Sequence, residues 1–201
     1  MTFLQGYFYG LALIIFIGPV FFTLLQSTLE HGLKSGLSVA LGIFFSDVLC
    51  VLLLFGFGVS SFFTNPGNEM IIGIAGSIIL IGLGLRYAIR PVLSRAEKIR
   101  FKTADYLHFF IKGFLVNLIN PFVFAVWMGL IALAGNHTSD TGSQLIFLSG
   151  TLLGIFSADS TKVLFANHLK DLFKPGFLET TYRVIGVVLI LFGVRILVHF
   201  I

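Results

Sequence analysis

Long apolar stretches alternate with short polar ones along the chain. Six apolar runs stand out: Leu4 to Gln26, Gly36 to Phe63, Met70 to Ile89, Phe109 to Ala134, Leu145 to Asn167 and Tyr182 to Ile201. A helix needs about 20 apolar residues to cross the hydrocarbon core of a bilayer, and each run supplies that length. The runs are continuous and lack the period-two alternation of membrane strands, so helices and not a β-barrel are predicted. The breaks carry turn chemistry: Thr64-Asn65-Pro66-Gly67-Asn68, the polar stretch Ala134 to Ser143, and Lys174-Pro175-Gly176. The expected fold is all-α, a polytopic membrane protein with six transmembrane helices.

Composition narrows the class. Of 201 residues, 57% are hydrophobic and 11% charged, and the mean hydropathy is +1.01. Soluble domains carry about 45–50% apolar and about 25% charged residues, which excludes an ordinary soluble domain, a disordered chain and a fibrous repeat. Cys50 is the only cysteine, which excludes a disulfide scaffold and a dithiol electron carrier. One membrane domain over residues 1–201 is expected. The start has no basic n-region and its apolar run is long, so it reads as a retained span and not a cleaved signal peptide.

Of the 13 Lys and Arg residues, all but Lys162 sit in polar connections or towards the ends of apolar runs, where they set membrane orientation. No nucleic-acid partner is expected. The longest polar connection, about residues 91–108, is flanked or filled by Arg90, Arg95, Lys98, Arg100, Lys102 and Lys112, and is predicted to be cytoplasmic. Alternation puts Lys34 and the group Lys170, Lys174 and Arg183 on the same side. The connections after runs two and four hold no Lys or Arg. Both termini are therefore predicted outside.

The halves of the chain resemble each other, about residues 1–90 against 109–201. Gly18-Pro19-Val20-Phe21-Phe22 matches Asn120-Pro121-Phe122-Val123-Phe124. Gly42-Ile43-Phe44-Phe45-Ser46-Asp47 matches Gly154-Ile155-Phe156-Ser157-Ala158-Asp159. Gly84-Leu85-Arg86 matches Gly193-Val194-Arg195. Three such matches in order indicate a duplication. With three spans per half, the halves run in opposite directions, the 3+3 inverted-topology repeat found in many secondary transporters.

Few residues break the apolar rule. Asp47 and Asp159 lie deep inside runs two and five, at matching places. An Asp at a helix centre costs roughly 2.5–3.5 kcal/mol on insertion scales, so the two suggest a shared polar site; helix-to-helix hydrogen bonding is the plainer alternative. Lys162 follows Asp159 by three positions and shares its helical face; a structural ion pair and a pair opened by substrate or proton both fit. Pro19 and Pro121 fall mid-run, where each removes a backbone donor. A plain kink is one reading. The other is a broken helix whose freed backbone groups bind a charged solute, with Asn117 and Asn120 placed to help.

Other chemistry finds little support. The five histidines lie near run ends or in loops, so no metal cluster is expected. An intramembrane aspartyl protease would carry Gly-x-Gly-Asp, which neither aspartate has. No enzyme, cofactor or metal is expected. The spacings Gly6-x-x-x-Gly10, Gly32-x-x-x-Gly36 and Gly150-x-x-x-Gly154 suit close helix packing and permit a homodimer. An inorganic-ion or metal-ion exporter on the same scaffold is the alternative to a solute exporter, but would want more oxygen, His or Cys ligands than the runs supply.

Gly18-Pro19, the stretch Gly36 to Asp47, and Gly113-Phe114-Leu115-Val116-Asn117-Leu118-Ile119-Asn120-Pro121 resemble the LysE/RhtB family of amino-acid exporters. Length, six spans and the basic central connection also fit. The resemblance implies a multi-pass protein of a prokaryotic inner or plasma membrane that exports amino acids or similar small solutes by proton antiport. It implies weight on Gly18, Pro19, Asp47, Asn117, Asn120 and Pro121. Its partners would be a small-molecule substrate, protons and the lipid bilayer.

Overall fold

A computed structural model describes residues 2–15, 18–56, 66–89, 105–169 and 175–200. The described residues are helical, with no strand among them. α1 (Phe3–Ala12) opens on a capping box: Thr2 Oγ1 accepts from Gln5 N–H, and Gln5 Oε1 accepts from Thr2 N–H at 2.9 Å. It continues as a 3-10 turn, Leu13–Ile15. α2 (Pro19–His31) leaves at 76° to that helix. In the second half, α5 (Tyr106–Leu118) and α6 (Pro121–His137) meet at 68°. The expected mid-span prolines are therefore first residues of new helices. There a missing N–H costs nothing and the fixed φ is already helical.

α3 (Leu33–Val51) follows α2 after one residue and runs on as a π turn, Leu52–Gly56. The joint is Gly32, at φ +87°, the left-handed region a side chain disfavours. The remaining helices among the described residues are α4 (Pro66–Ile89), α7 (Thr141–Leu164), the short α8 (Ala166–Leu169) and α9 (Pro175–Phe200).

Several expected boundaries move. Pro66-Gly67-Asn68 and Pro175-Gly176, read as turns, begin α4 and α9, because proline is accepted at a helix start. The polar stretch Ala134 to Ser143 shrinks to residues 138–140. Its Asp140 caps α7, with Oδ2 accepting from Ser143 N–H at 2.8 Å. Asp105 caps α5 in the same way, so Lys112 belongs to a helix and not to the connection before it. Residues 57–63 of run two, the basic cluster Arg90, Arg95, Lys98, Arg100 and Lys102, and Lys170 and Lys174 lie outside the described residues.

Among the described residues three helices are long and apolar enough to cross a membrane: Leu33–Gly56, Thr141–Leu164 and Glu179–Val198. The number rises to five if each bent pair counts as one span.

The chain forms two compact units, and each draws on both halves of the sequence. One holds Met1–Phe57 and Phe101–Lys170; the other holds Gly58–Arg100 and Asp171–Ile201. In the first, α1 lies along α7 and α5 along α3. A Cβ on Gly6 or Gly10 would strike the carbonyls of Phe147 or Thr151, and one on Gly42 or Gly113 those of Phe110 or Val39. Backbone thus touches backbone, as small residues in membrane helices allow. Contacts advance together in both pairs, Gly6 at Phe147 then Gly10 at Thr151, Val39 at Gly113 then Ile43 at Asn117, so both pairs are parallel. α3 crosses α7 in the opposite sense, with Gly36 against Val163 and Phe44 against Phe156. In the second unit α4 and α9 are antiparallel, with Gly84 against Gly186 and Gly193 against Ser77.

Apolar side chains fill the interior and also cover the outer face. Phe45, Leu52, Ile119, Leu191 and Phe192 face outward. Asp47, Asn117, Asp159 and Lys162 are buried beside Leu24, Val39 and Trp127. Lipid accepts the first set, and the second must find its partners inside.

Candidate functional site

Asp47 sits on the inward face of α3 and is 3% exposed. Its Oδ1 accepts two hydrogen bonds, from Asn117 Nδ2 at 2.8 Å and from Trp127 Nε1 at 2.9 Å. The donors come from α5 and α6, either side of the break before Pro121. The break is therefore what lets one half-helix deliver an amide and the other an indole to the same oxygen. Asn117 Nδ2 also reaches the carbonyl of Ile43 at 3.4 Å. Oδ2 has no hydrogen-bond partner among the described residues.

Asp159 sits on α7 and is 6% exposed. Lys162 Nζ donates to its Oδ1 at 3.0 Å, forming a buried ion pair within one helical turn. The same ammonium lies 5.8 Å from the centre of the Phe21 ring, on α2, within cation–π range. Each aspartate thus lies beside a half-helix from the broken run of the other sequence half. The environments differ in charge: two neutral donors hold Asp47, whereas a cation neutralises Asp159. The two carboxyls are close enough for their charges to interact.

Two further groups flank Asp47. Ser46 Oγ is fully buried and has no hydrogen-bond partner among the described residues. Cys50 is fully buried one turn on, within reach of the Asp47 charge.

The residues of the breaks have local duties. Asn120 caps α6, its Oδ1 accepting from Phe122 N–H at 3.2 Å, and its own N–H donates to Asn117 O at 3.1 Å. Thr23 Oγ1 donates to Pro19 O at 2.9 Å. Gly18 precedes α2 in extended backbone, and a Cβ there would meet no heavy atom within 4 Å. Pro19 and Pro121 start α2 and α6. The structure therefore brings Asn117 to Asp47 and Lys162 to Asp159, and leaves Asn120, Gly18, Pro19 and Pro121 at the helix starts. Among the described residues no three His, Cys, Asp or Glu side chains converge as metal ligands.

The sequence does not single out Trp127, and it marks Lys112 only as part of the basic connection. Trp127 is the only tryptophan and is 1% exposed. A buried indole N–H needs an acceptor, and in an apolar run the acceptors are few, so its partner could have been sought among the aspartates. Lys112 is half-buried on α5, its Nζ 3.5 Å from Ser27 Oγ.

Comparison with known proteins bears on the whole chain. The family model described as LysE type translocator matches residues 11–199. A curated protein of Bacillus subtilis (strain 168), named "Putative amino acid efflux protein YcgF", is 26% identical over 190 residues, covering 92% of this chain and 89% of that protein. No solved structure matches. Translocators move solutes and are not enzymes, and the apolar helices make this a multi-pass membrane protein. The chain belongs to the LysE type translocator family.

Proposed function

We propose that the protein is a secondary exporter of amino acids or related small solutes across a prokaryotic inner membrane, exchanging them for protons. The observation that carries the reading is Asp47: a carboxyl buried at the crossing of two membrane helices, fixed through one oxygen by neutral donors and open at the other. An ionisable group costs too much at that depth to be kept without use. The name of the Bacillus relative agrees with amino-acid efflux.

The six-span inverted repeat is part of this reading, and helix directions support it. With both termini outside, spans one and five descend, spans two and four ascend, and spans three and six oppose each other. The parallel pairs α1–α7 and α3–α5 and the antiparallel pairs α3–α7 and α4–α9 agree with that pattern. Contacts at the α4–α9 seam support it further. Gly84 meets Gly186 and Ile190, and Gly193 meets Ser77 and Ile81; a shift of 109 residues exchanges one set for the other.

In operation, Asp47 and Asp159 would take the ammonium group of the solute or the coupling proton, and Lys162 would release Asp159 when either arrives. The starts of α2 and α6, at Gly18, Pro19, Asn120 and Pro121, carry the positive end of a helix dipole. With Asn117 they would receive the solute carboxylate. The two repeats would rock about this site and expose it to one side at a time.

The test is export from proteoliposomes loaded with a mixture of amino acids under an imposed pH gradient. Wild-type protein is expected to release a subset of them. Asp47→Asn and the double variant Asp159→Asn/Lys162→Met, which leaves no buried charge unpaired, are expected to lose pH-coupled export while remaining folded. Full coupled export by both variants would overturn the assignment.

A further inference from the structure

The two halves carry the same aspartate in the same string but differ one helical turn later. Gly42 to Asp47 aligns without a gap on Gly154 to Asp159, a shift of 112 residues. Carried forward, that shift sets Cys50 against Lys162. It also sets Ser46 against Ala158.

In the second half, Lys162 leans back one turn and places its ammonium 3.0 Å from Asp159 Oδ1. Among the described residues of the first half, none plays this part for Asp47. Cys50 ends in a short thiol, fully buried and within reach of the Asp47 charge. It stands three residues after Asp47 and four after Ser46, so its side chain is a helical neighbour of each. Side chains on a helix lean toward its N-terminus, so a longer group at position 50 would lie over the turn that bears Ser46 and Asp47. That turn holds the free Oδ2 of Asp47 and the unpartnered Ser46 Oγ. A buried hydroxyl without a partner is costly, and its counterpart in the half that contains the lysine is alanine.

We propose that position 50 decides what the Asp47 carboxyl binds: the short side chain of Cys50 leaves the seat to a mobile primary ammonium group, and Ser46 Oγ is that group's second acceptor. The Asp159–Lys162 pair is the internal copy of the occupied seat. Asp159 and Lys162 cancel each other's charge at rest, so Asp47 is the seat first open to an external ammonium group, and Asp159 becomes available only when Lys162 releases it. This rests on the export reading and narrows it to solutes with an unsubstituted amino group.

The experiment compares wild type, Cys50→Lys, Cys50→Met, Asp47→Asn, Cys50→Lys/Asp47→Asn and Ser46→Ala in proteoliposomes, together with unfolding midpoints in detergent. Cys50→Lys supplies a tethered ammonium and is expected to fold and to lose export. Cys50→Met is of similar reach without the charge and is expected to keep a measurable share. Adding Asp47→Asn to Cys50→Lys is expected to lower the midpoint more than Asp47→Asn does alone, because the new cation loses its partner. Ser46→Ala is expected to weaken apparent affinity for an amino solute and to leave its N,N-dimethylated analogue equally poor. Export by Cys50→Lys at the wild-type rate would overturn the proposal. So would equal loss in Cys50→Met, or failure of Cys50→Lys to fold where Cys50→Met folds. A wild type that releases no amino solute would instead sink the export reading, and the midpoints would still report whether Asp47 accepts a cation from position 50.

Discussion

Phe44 and Phe156 meet edge to face where α3 crosses α7, with ring centroids 5.4 Å apart and planes at 61°. They are counterparts in the two halves, 112 residues apart, and each stands three residues before its aspartate. The crossing is antiparallel, so three residues forward means opposite directions on the two helices. Asp47 and Asp159 therefore lie on either side of the aromatic pair, about 9 Å apart along the axes at 1.5 Å per residue.

The rings are placed to separate the two carboxyls. Replacing both, Phe44→Ala with Phe156→Ala, is expected to raise solute-independent proton leak. A pH-sensitive dye inside proteoliposomes reads it. Leak at the wild-type level would show that the rings are packing and not a barrier.

Lys162→Met would leave Asp159 buried without its counter-ion. Removing one partner of a buried pair costs about 3–5 kcal/mol, whereas replacing both with neutral groups is often tolerated. Lys162→Met is therefore expected to unfold well before wild type in detergent, and Asp159→Asn/Lys162→Met to recover most of the loss. Additive losses would mean the pair is not coupled.

Trp127 is the only tryptophan and its N–H bonds Asp47 directly. Its emission is expected to shift on Asp47→Asn and on addition of an exported solute, with no label required. Trp127→Phe removes that hydrogen bond and is expected to weaken coupling to the pH gradient more than it lowers the unfolding midpoint. A fluorescence signal indifferent to solute would argue that the Asp47 region does not move during transport.

Gly6→Ala would drive a methyl into the Phe147 carbonyl, a backbone atom that cannot swing away. Overpacking of this kind costs about 1–3 kcal/mol. Gly129→Ala meets nothing within 4 Å and is expected to be neutral or slightly stabilising. Equal midpoints for the two variants would contradict the close approach of α1 to α7.

Asp140 lies outside the spans, at the start of α7. Hydrogen bonds from the Ser143 side chain and N–H hold its carboxyl below the usual range. A lowered folded-state value means its contribution to the helix start is complete above the ordinary carboxylate pKa. That contribution fades as pH falls through the lowered one. Titration followed by NMR of the Asp140 side chain is expected to give a midpoint under that of an exposed Asp, and Ser143→Gly to raise it.

Much of the fold is legible in the residues. The apolar runs give the helices, and Asp47 and Asp159 stand out because nothing else acidic lies so deep. Lys162 reads correctly as a neighbour of Asp159, since a separation of three is local helix geometry. Trp127 does not read, because its bond to Asp47 spans 80 residues and no local pattern foretells which helices meet. Pro19 and Pro121 mark the breaks, but a proline in an apolar run fits a kink as well as a fresh helix start. The caps Asp105 and Asp140 look like loop residues until the helices they begin are seen.

Neither sequence half makes a unit by itself, and this bears on how the protein is born. When the first half leaves the ribosome, Asp47 enters the bilayer with Asn117 and Trp127 still unsynthesised, 70 and 80 residues behind. Its carboxyl must then stay protonated, lean on the insertion machinery or sit near the membrane surface until they arrive. A chain truncated after residue 90 would be stranded at that stage, a natural target for membrane quality control.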